Sequence, residues 1–172
     1  MAMAEASRPV GVVVRRRAID NPWIDHTWSP VTILDEVPAT APWTVLSTEA
    51  GATLYYAGAA TIDLFSSDTA NYRDNLADGE PRIWVAMRRQ DGGAELELTK
   101  VTADPTEGEA MFESVCDVIG TVPMPPEIAS WIAAFVDRFH VERVFHKRKR
   151  DRATGDRPRV PHGRPDEGTG RR

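Results

Sequence analysis

Valine recurs at every second position near the start of the chain. Val10, Val12 and Val14 share one face and Val13 takes the other. A period of two over a short run marks a strand with a buried face. Arg15, Arg16 and Arg17 follow directly. The strand expected over residues 9–19 is therefore buried in its first half and emerges into solvent in its second. Asn21-Pro22 signals a turn, and residues 26–34 read as a second strand. Pro30 interrupts it, and because proline cannot donate to a ladder, an edge or a bulge is expected there. The acidic, proline-bearing stretch 35–42 is a loop. Strands follow at 43–47 and 54–57, with a turn at Glu49-Ala50-Gly51. Another is expected at 61–65, after the small run Ala57-Gly58-Ala59-Ala60, which reads as a bend or a tight connection.

The pattern then changes period. Ser67 or Asp68 can cap a short helix reaching Leu76, with Tyr72 and Leu76 on one face. Ile83, Val85 and Met87 alternate along one strand of a hairpin, and Leu96 and Leu98 along the other. Asp91-Gly92-Gly93 between them supplies positive-φ residues for the reversal. Asp104-Pro105-Thr106-Glu107 has the order of a helix start. It offers a side-chain acceptor, a proline at the first helical position and a glutamate where a capping box places one. This helix is expected to end near Ser114. A last strand over 115–122 leads through Pro123-Met124-Pro125-Pro126 into the most regular helix of the chain. There Ile128, Trp131, Ile132, Phe135, Val136 and Phe139 form one stripe at helical spacing. A large apolar side chain contributes about 1.5–3 kcal/mol when fully buried, so Trp131→Asp is expected to unfold the domain. The fold class predicted is α+β: a mainly antiparallel, strongly curved sheet or partial barrel, with the C-terminal amphipathic helix packed on it.

Charge divides the chain more sharply than hydropathy. Eleven of its 21 Lys and Arg lie from Arg143 onward, against four of its 26 Asp and Glu. An acidic body thus precedes a basic tail, a distribution that suggests docking through the end of the chain. Residues 153–172 hold almost no apolar side chains and cannot offset the entropy of ordering. The expected organisation is a flexible N-terminus over 1–8, one α+β domain over 9–142, and a basic, largely disordered tail over 143–172. No signal peptide is read at the start. No apolar run approaches the roughly 20 residues of a membrane span. With Cys116 as the single cysteine, no intrachain disulfide forms, which fits a cytoplasmic setting.

The candidate chemistry is thin. Trp23, Trp28 and Trp43 crowd the first quarter of the chain, followed by Tyr55 and Tyr56. They read either as packing at the core and sheet edge or as an aromatic groove for a partner. His26 and His140, with Cys116 or Asp25, lack metal-ligand spacing. Neither metal nor cofactor is expected. Asp63, Asp74, Asp104 and Asp117 read as solvated charges and caps. No glycine-rich phosphate loop follows the first strand, where Arg15-Arg16-Arg17 stands instead, and this disfavours nucleotide chemistry. The dense run that includes Lys147, Arg148, Lys149 and Arg150 is the one strong electrostatic signal. An acidic protein surface ranks first as its partner, solvent second and nucleic acid third, because no aromatic side chain is interleaved for base stacking. The partner-binding residues expected are Trp23, His26, Trp28, Trp43, Lys147, Arg148, Lys149 and Arg150.

Several blocks stand in order along the chain: Pro9-Val10-Gly11-Val12-Val13-Val14, Asn21-Pro22-Trp23, Asp25-His26-Thr27-Trp28-Ser29-Pro30-Val31 and Pro42-Trp43-Thr44-Val45-Leu46. Tyr55-Tyr56-Ala57-Gly58, Asn71-Tyr72-Arg73-Asp74-Asn75-Leu76, Val122-Pro123-Met124-Pro125-Pro126 and Phe145-His146-Lys147-Arg148-Lys149-Arg150 complete the set. Over about residues 9–150 the chain resembles an uncharacterised proteobacterial family, domain of unknown function 3305. Genes of that family often stand beside molybdenum-dependent formate dehydrogenases. The resemblance implies a role in making, maturing or regulating such an enzyme, and it implies no catalytic residue. The leading expectation is a non-enzymatic accessory factor that binds a dehydrogenase subunit or a maturation factor. The alternatives are an enzyme of molybdopterin or guanine-nucleotide cofactor biosynthesis, and a nucleic-acid-binding accessory acting through the tail.

Overall fold

The computed structural model describes residues 4–90, 96–114 and 118–141. The chain divides into two units, Met1–Val141 and Glu142–Arg172, and every described residue belongs to the first. Four strands, β1 (Ala6–Ala18), β2 (His26–Leu34), β3 (Thr44–Glu49) and β4 (Ala52–Leu64), form a sheet in the order β2-β1-β4-β3. A 3-10 turn (Ser66–Asp68) and helix α1 (Thr69–Ala77) follow. Strands β5 (Arg82–Arg89), β6 (Leu96–Thr102) and β7 (Val118–Pro123) make a second sheet, ordered β6-β5-β7. Helix α2 (Pro105–Phe112) connects β6 to β7, and α3 (Pro126–Phe139) ends the described chain. All strand pairs are antiparallel. The α+β class and the packed C-terminal helix match the expectation. The strands belong to two sheets and do not close into a barrel.

The valines of β1 behave as their spacing predicts. Val10, Val12 and Val14 enter the main core, and exposure begins at Arg15. β2 is an edge strand, and its ladder to β1 shifts register between Val13 and Val14, where Pro30 pairs. Both devices expected for a strand proline are present. β3 and β4 reverse through Ala50 and Gly51, whose φ values of 41° and 79° mark a two-residue hairpin of the primed kind. The small run after Tyr56 is not a connection between two strands. β4 runs through it unbroken, and the register against β1 shifts between Val12 and Val13. Gly58 takes φ 128° beside this shift, so a bulge bends one long strand where the sequence suggested two.

β2 and β3 lie at opposite edges of their sheet, so their connection must cross β1 and β4. It crosses on the face away from the main core. A Cβ on Gly11 would lie 3.2 Å from Pro38, and one on Gly58 would lie 3.5 Å from Pro42. Val13 and Tyr56 are buried on that face, outside the main core cluster. The crossing ends at Trp43, whose φ of 67° is unusual for a bulky side chain. There the chain turns into β3 and the indole swings towards Trp28 and Tyr55, on the sheet's other face.

In the second sheet the hairpin strands form as their alternation predicts, while Asp91-Gly92-Gly93 lies outside the described residues. Asp104 caps α2 by accepting from Thr106 N and Glu107 N. The capping box is only half built. Asp104 N donates to Thr102 Oγ1, and Glu107 pairs with Lys100 instead. α2 stops at Phe112, short of Ser114. At the start of α1, Asp68 makes no side-chain cap and accepts from Ser67 Oγ. Tyr72 is buried and Leu76 half-buried on one face, as expected. Burial raises the Tyr72 hydroxyl above its ordinary range. That hydroxyl accepts from Phe65 N at 3.2 Å.

Gly108 carries a close contact invisible in the sequence. A Cβ built there would stand 2.2 Å from Cγ of Trp84, an atom at the root of the ring that rotation about χ2 does not move. In open helix, Gly→Ala gains about 1 kcal/mol. Here overpacking reverses the sign, and Gly108→Ala is expected to lose about 2 kcal/mol. A thermal melt against wild type checks this.

Candidate partner-binding site

The loop between β1 and β2 is short and closed on itself. Ile19 N donates to Asp25 O at 3.0 Å, and Trp23 N donates to Asn21 Oδ1 at 2.9 Å. The second bond is an Asx turn, made by an asparagine whose side chain mimics a backbone acceptor. Its effect is to hold Trp23 outward at 89% exposure, next to Ile24 at 48%. A nearly bare indole on a hydrogen-bonded loop is unusual, because apolar area in water is unfavourable by about 25 cal/mol per Å².

Behind this loop the aromatic side chains pack on one another. Arg16 and Trp28 are partners in the β1–β2 ladder and so share a face. The Arg16 guanidinium carbon lies 5.9 Å from the Trp28 ring centre, a cation–π distance. Trp28 meets Trp43 edge-on at 5.8 Å and Tyr55 at 5.4 Å, and His26 edge-on at 5.9 Å. Trp28, Trp43 and Tyr55 are half-buried against the main core. Each indole thus contributes packing and leaves one edge at the surface.

His26 Nδ1 faces two groups. It contacts the Asp25 carboxylate and lies 3.3 Å from Arg16 Nη2. An ionised carboxylate only accepts and a guanidinium only donates. A protonated Nδ1 therefore serves Asp25, and a bare one serves Arg16. The hydrogen bond from His26, followed by its charge, holds the exposed Asp25 carboxyl below the ordinary range. Asn21, Trp23, Ile24, Asp25 and His26 line a cleft of about 320 Å³, closed on one side by Arg89 from the end of β5.

The structure brings His26, Trp28 and Trp43 together and sets Trp23 on the cleft beside them. Lys147, Arg148, Lys149 and Arg150 lie outside the described residues, as do Cys116 and Asp117. His140 is remote from His26. It bonds Thr69 Oγ1 at 3.1 Å through Nδ1 and Arg73 Nη1 at 2.9 Å through Nε2. Among the described residues no three His, Cys, Asp or Glu side chains converge as a metal set would. Also among them, no helix is long and apolar enough to cross a membrane. Sequence reasoning named neither Ile24 nor Arg89. A hydrophobic residue following an Asn-Pro turn could have pointed to the first. Nothing local could have pointed to the second, which arrives from the other sheet.

Fold and site together define an α+β protein of two antiparallel sheets that presents an exposed tryptophan loop over an aromatic cluster. The chain belongs to the family described as protein of unknown function (DUF3305), whose model matches residues 9–149. No curated protein and no solved structure matches it.

Proposed function

We propose that this chain is a non-enzymatic accessory protein that binds a polypeptide partner through the tryptophan loop. The observation that carries this reading is Trp23, held almost fully exposed beside Ile24 by a closed, hydrogen-bonded loop. Large rigid aromatic side chains anchor protein interfaces, and a preset loop reduces the ordering cost of binding. Trp28, Trp43 and His26 form the supporting rim. The basic residues Lys147, Arg148, Lys149 and Arg150 are assigned an electrostatic share of binding to an acidic partner surface, on their sequence alone. The setting comes from the family resemblance: assembly or maturation of a molybdenum-dependent enzyme of the formate dehydrogenase type.

Affinity capture from the native cell tests this. The wild-type chain is expected to retain dehydrogenase subunits or their maturation factors. Trp23→Ser with Ile24→Ser is expected to lower that capture at least tenfold, as removal of an interface anchor does. Both substitutions sit at exposed positions, so the melting temperature should barely move. Undiminished capture by the double variant would remove the loop from the interface.

A further inference from the structure

A second surface, separate from the tryptophan loop, lies on the outer face of the first sheet. The alternation of β1 sets Val13, Arg15 and Arg17 on the side away from the main core. The 35–42 crossing covers this face around Gly11, Val13 and Gly58. Past Val13 the cover ends, and both arginines are exposed. Arg15 stands between Ser29 of β2 and Leu54 of β4, and Arg17 between Thr27 and Ala52. Residues directly opposite in a ladder share a face. Two guanidinium side chains therefore lie one after the other along β1, with hydroxyls on one flank and apolar groups on the other.

Charge makes this pair unusual. Up to residue 142 the chain carries ten Lys and Arg against 22 Asp and Glu. In so acidic a body most cations find a carboxylate: Arg8 pairs with Asp35, Arg82 with Glu80 and Lys100 with Glu107. Arg15 and Arg17 have no ion-pair partner among the described residues. Glu49 stands opposite Ala52 on its other side, about 9.6 Å from Arg17 at ~4.8 Å per strand, and bounds the positive surface towards β3. Arg15 and Arg17 are about 6.8 Å apart at ~3.4 Å per residue, and an extended peptide repeats the side chains of one face at that same interval. A guanidinium fork receives a carboxylate through two parallel hydrogen bonds.

We propose that this face binds an extended, acidic segment of a partner protein, with acids at alternate positions, laid along β1 over Arg15 and Arg17. The contact is made by side chains on a sheet face and needs no open strand edge. The hydroxyls of Thr27 and Ser29 donate to carboxylate oxygens that the arginines leave unfilled. A longer polyanion runs from the two arginines onto an acidic body, with Glu49 at the rim, and is repelled there. This favours a short run of acidic side chains over nucleic acid.

The test uses the full chain, the blocked peptide Glu-Thr-Glu-Thr-Glu-Thr, and NMR of the arginine Nε–H groups and of the Thr27 and Ser29 amides. Residue-resolved shifts separate this face from the basic residues after Arg143, which also attract acids. The peptide should shift the Arg15 and Arg17 Nε–H groups to saturation. Thr-Glu-Glu-Thr-Thr-Glu, of the same composition but with no two acids two places apart, should bind there at least fivefold more weakly. Arg15→Gln with Arg17→Gln should weaken the response at Thr27 and Ser29 at least tenfold, with a melting temperature close to wild type because both positions are exposed. Arg15→Lys with Arg17→Lys keeps the charge without the fork and should lose at least threefold. Trp23→Ser with Ile24→Ser should leave binding here unchanged. The proposal is overturned if the two Nε–H groups do not respond at millimolar peptide, or if the two peptides bind there equally. Tighter binding of a six-nucleotide DNA strand at the same groups overturns it equally, and would make the pair a phosphate site.

Discussion

Ile132→Asp is expected to leave the protein unfolded at room temperature, while Trp131→Asp next to it leaves a folded protein with a lower melting point. Ile132 sits on α3 at 0% exposure, in the main core with Ile128, Phe135 and Val136. Aspartate there loses about 2 kcal/mol of apolar burial. It also places a carboxylate, or its costly protonated form, among the apolar side chains of the core, for several kcal/mol more. A domain of ordinary stability, about 5–15 kcal/mol, has little left after that. Trp131 is different. It packs on the margin of the core, half-buried, with the Arg8 guanidinium carbon 5.8 Å from its ring. Arg8 also pairs with Asp35, and an aspartate at 131 gains a neighbouring cation. The expected loss is about 1–2 kcal/mol. Circular dichroism melts of the two variants check the contrast, and equal losses would refute it. The helical spacing made all six residues of the stripe look equivalent, and the earlier expectation for Trp131 is corrected by its place at the rim.

Asn75→Ala is expected to cost about 3 kcal/mol with no apolar contact changed. Asn75 is buried on α1, and its amide joins three distant backbone groups. Nδ2 donates to Arg82 O at 2.8 Å and to Ala103 O at 2.9 Å, while Oδ1 accepts from Arg82 N at 2.9 Å. It ties the helix to the start of β5 and the chain just after β6. Alanine leaves one donor and two acceptors unmatched in a nearly dry site, each worth roughly 1–3 kcal/mol, with partial relief by relaxation. Asn71→Ala is the comparison. It removes one bond, to Asp104 Oδ2 at 3.1 Å, at a half-buried site, and should cost about 1 kcal/mol. Hydrogen exchange at the Arg82 amide should accelerate in Asn75→Ala and not in Asn71→Ala. Unchanged protection there would show that the amide tie is not what holds the two elements together.

Much of this fold could be read from neighbours in sequence. The valine alternation of β1, the proline of β2, the cap of α2 and the stripe of α3 are signals carried within a few residues, and each element formed where its signal stood. The errors have a common source. The Ala57-Gly58-Ala59-Ala60 run looked like a break because its residues are small, yet β1 alongside supplies a continuous ladder and turns the break into a bulge. Glu107 looked like a capping-box residue, yet Lys100 from β6 competes for it and wins. Gly108 looked unremarkable until Trp84 lay against it.

Residue spacing along the chain was sufficient for the antiparallel α+β class, the emergence of the arginines from β1 and the amphipathic terminal helix, because each depends on local periodicity and hydrogen-bonding chemistry. Which tryptophan is bare and which are packed depended on the fold. Trp23 is set outward by an Asx turn. Trp28 and Trp43 are drawn against Tyr55 only after the 35–42 loop has crossed the sheet and Trp43 has taken a left-handed backbone. Such contacts join residues far apart in sequence, and no local pattern encodes the distance between them.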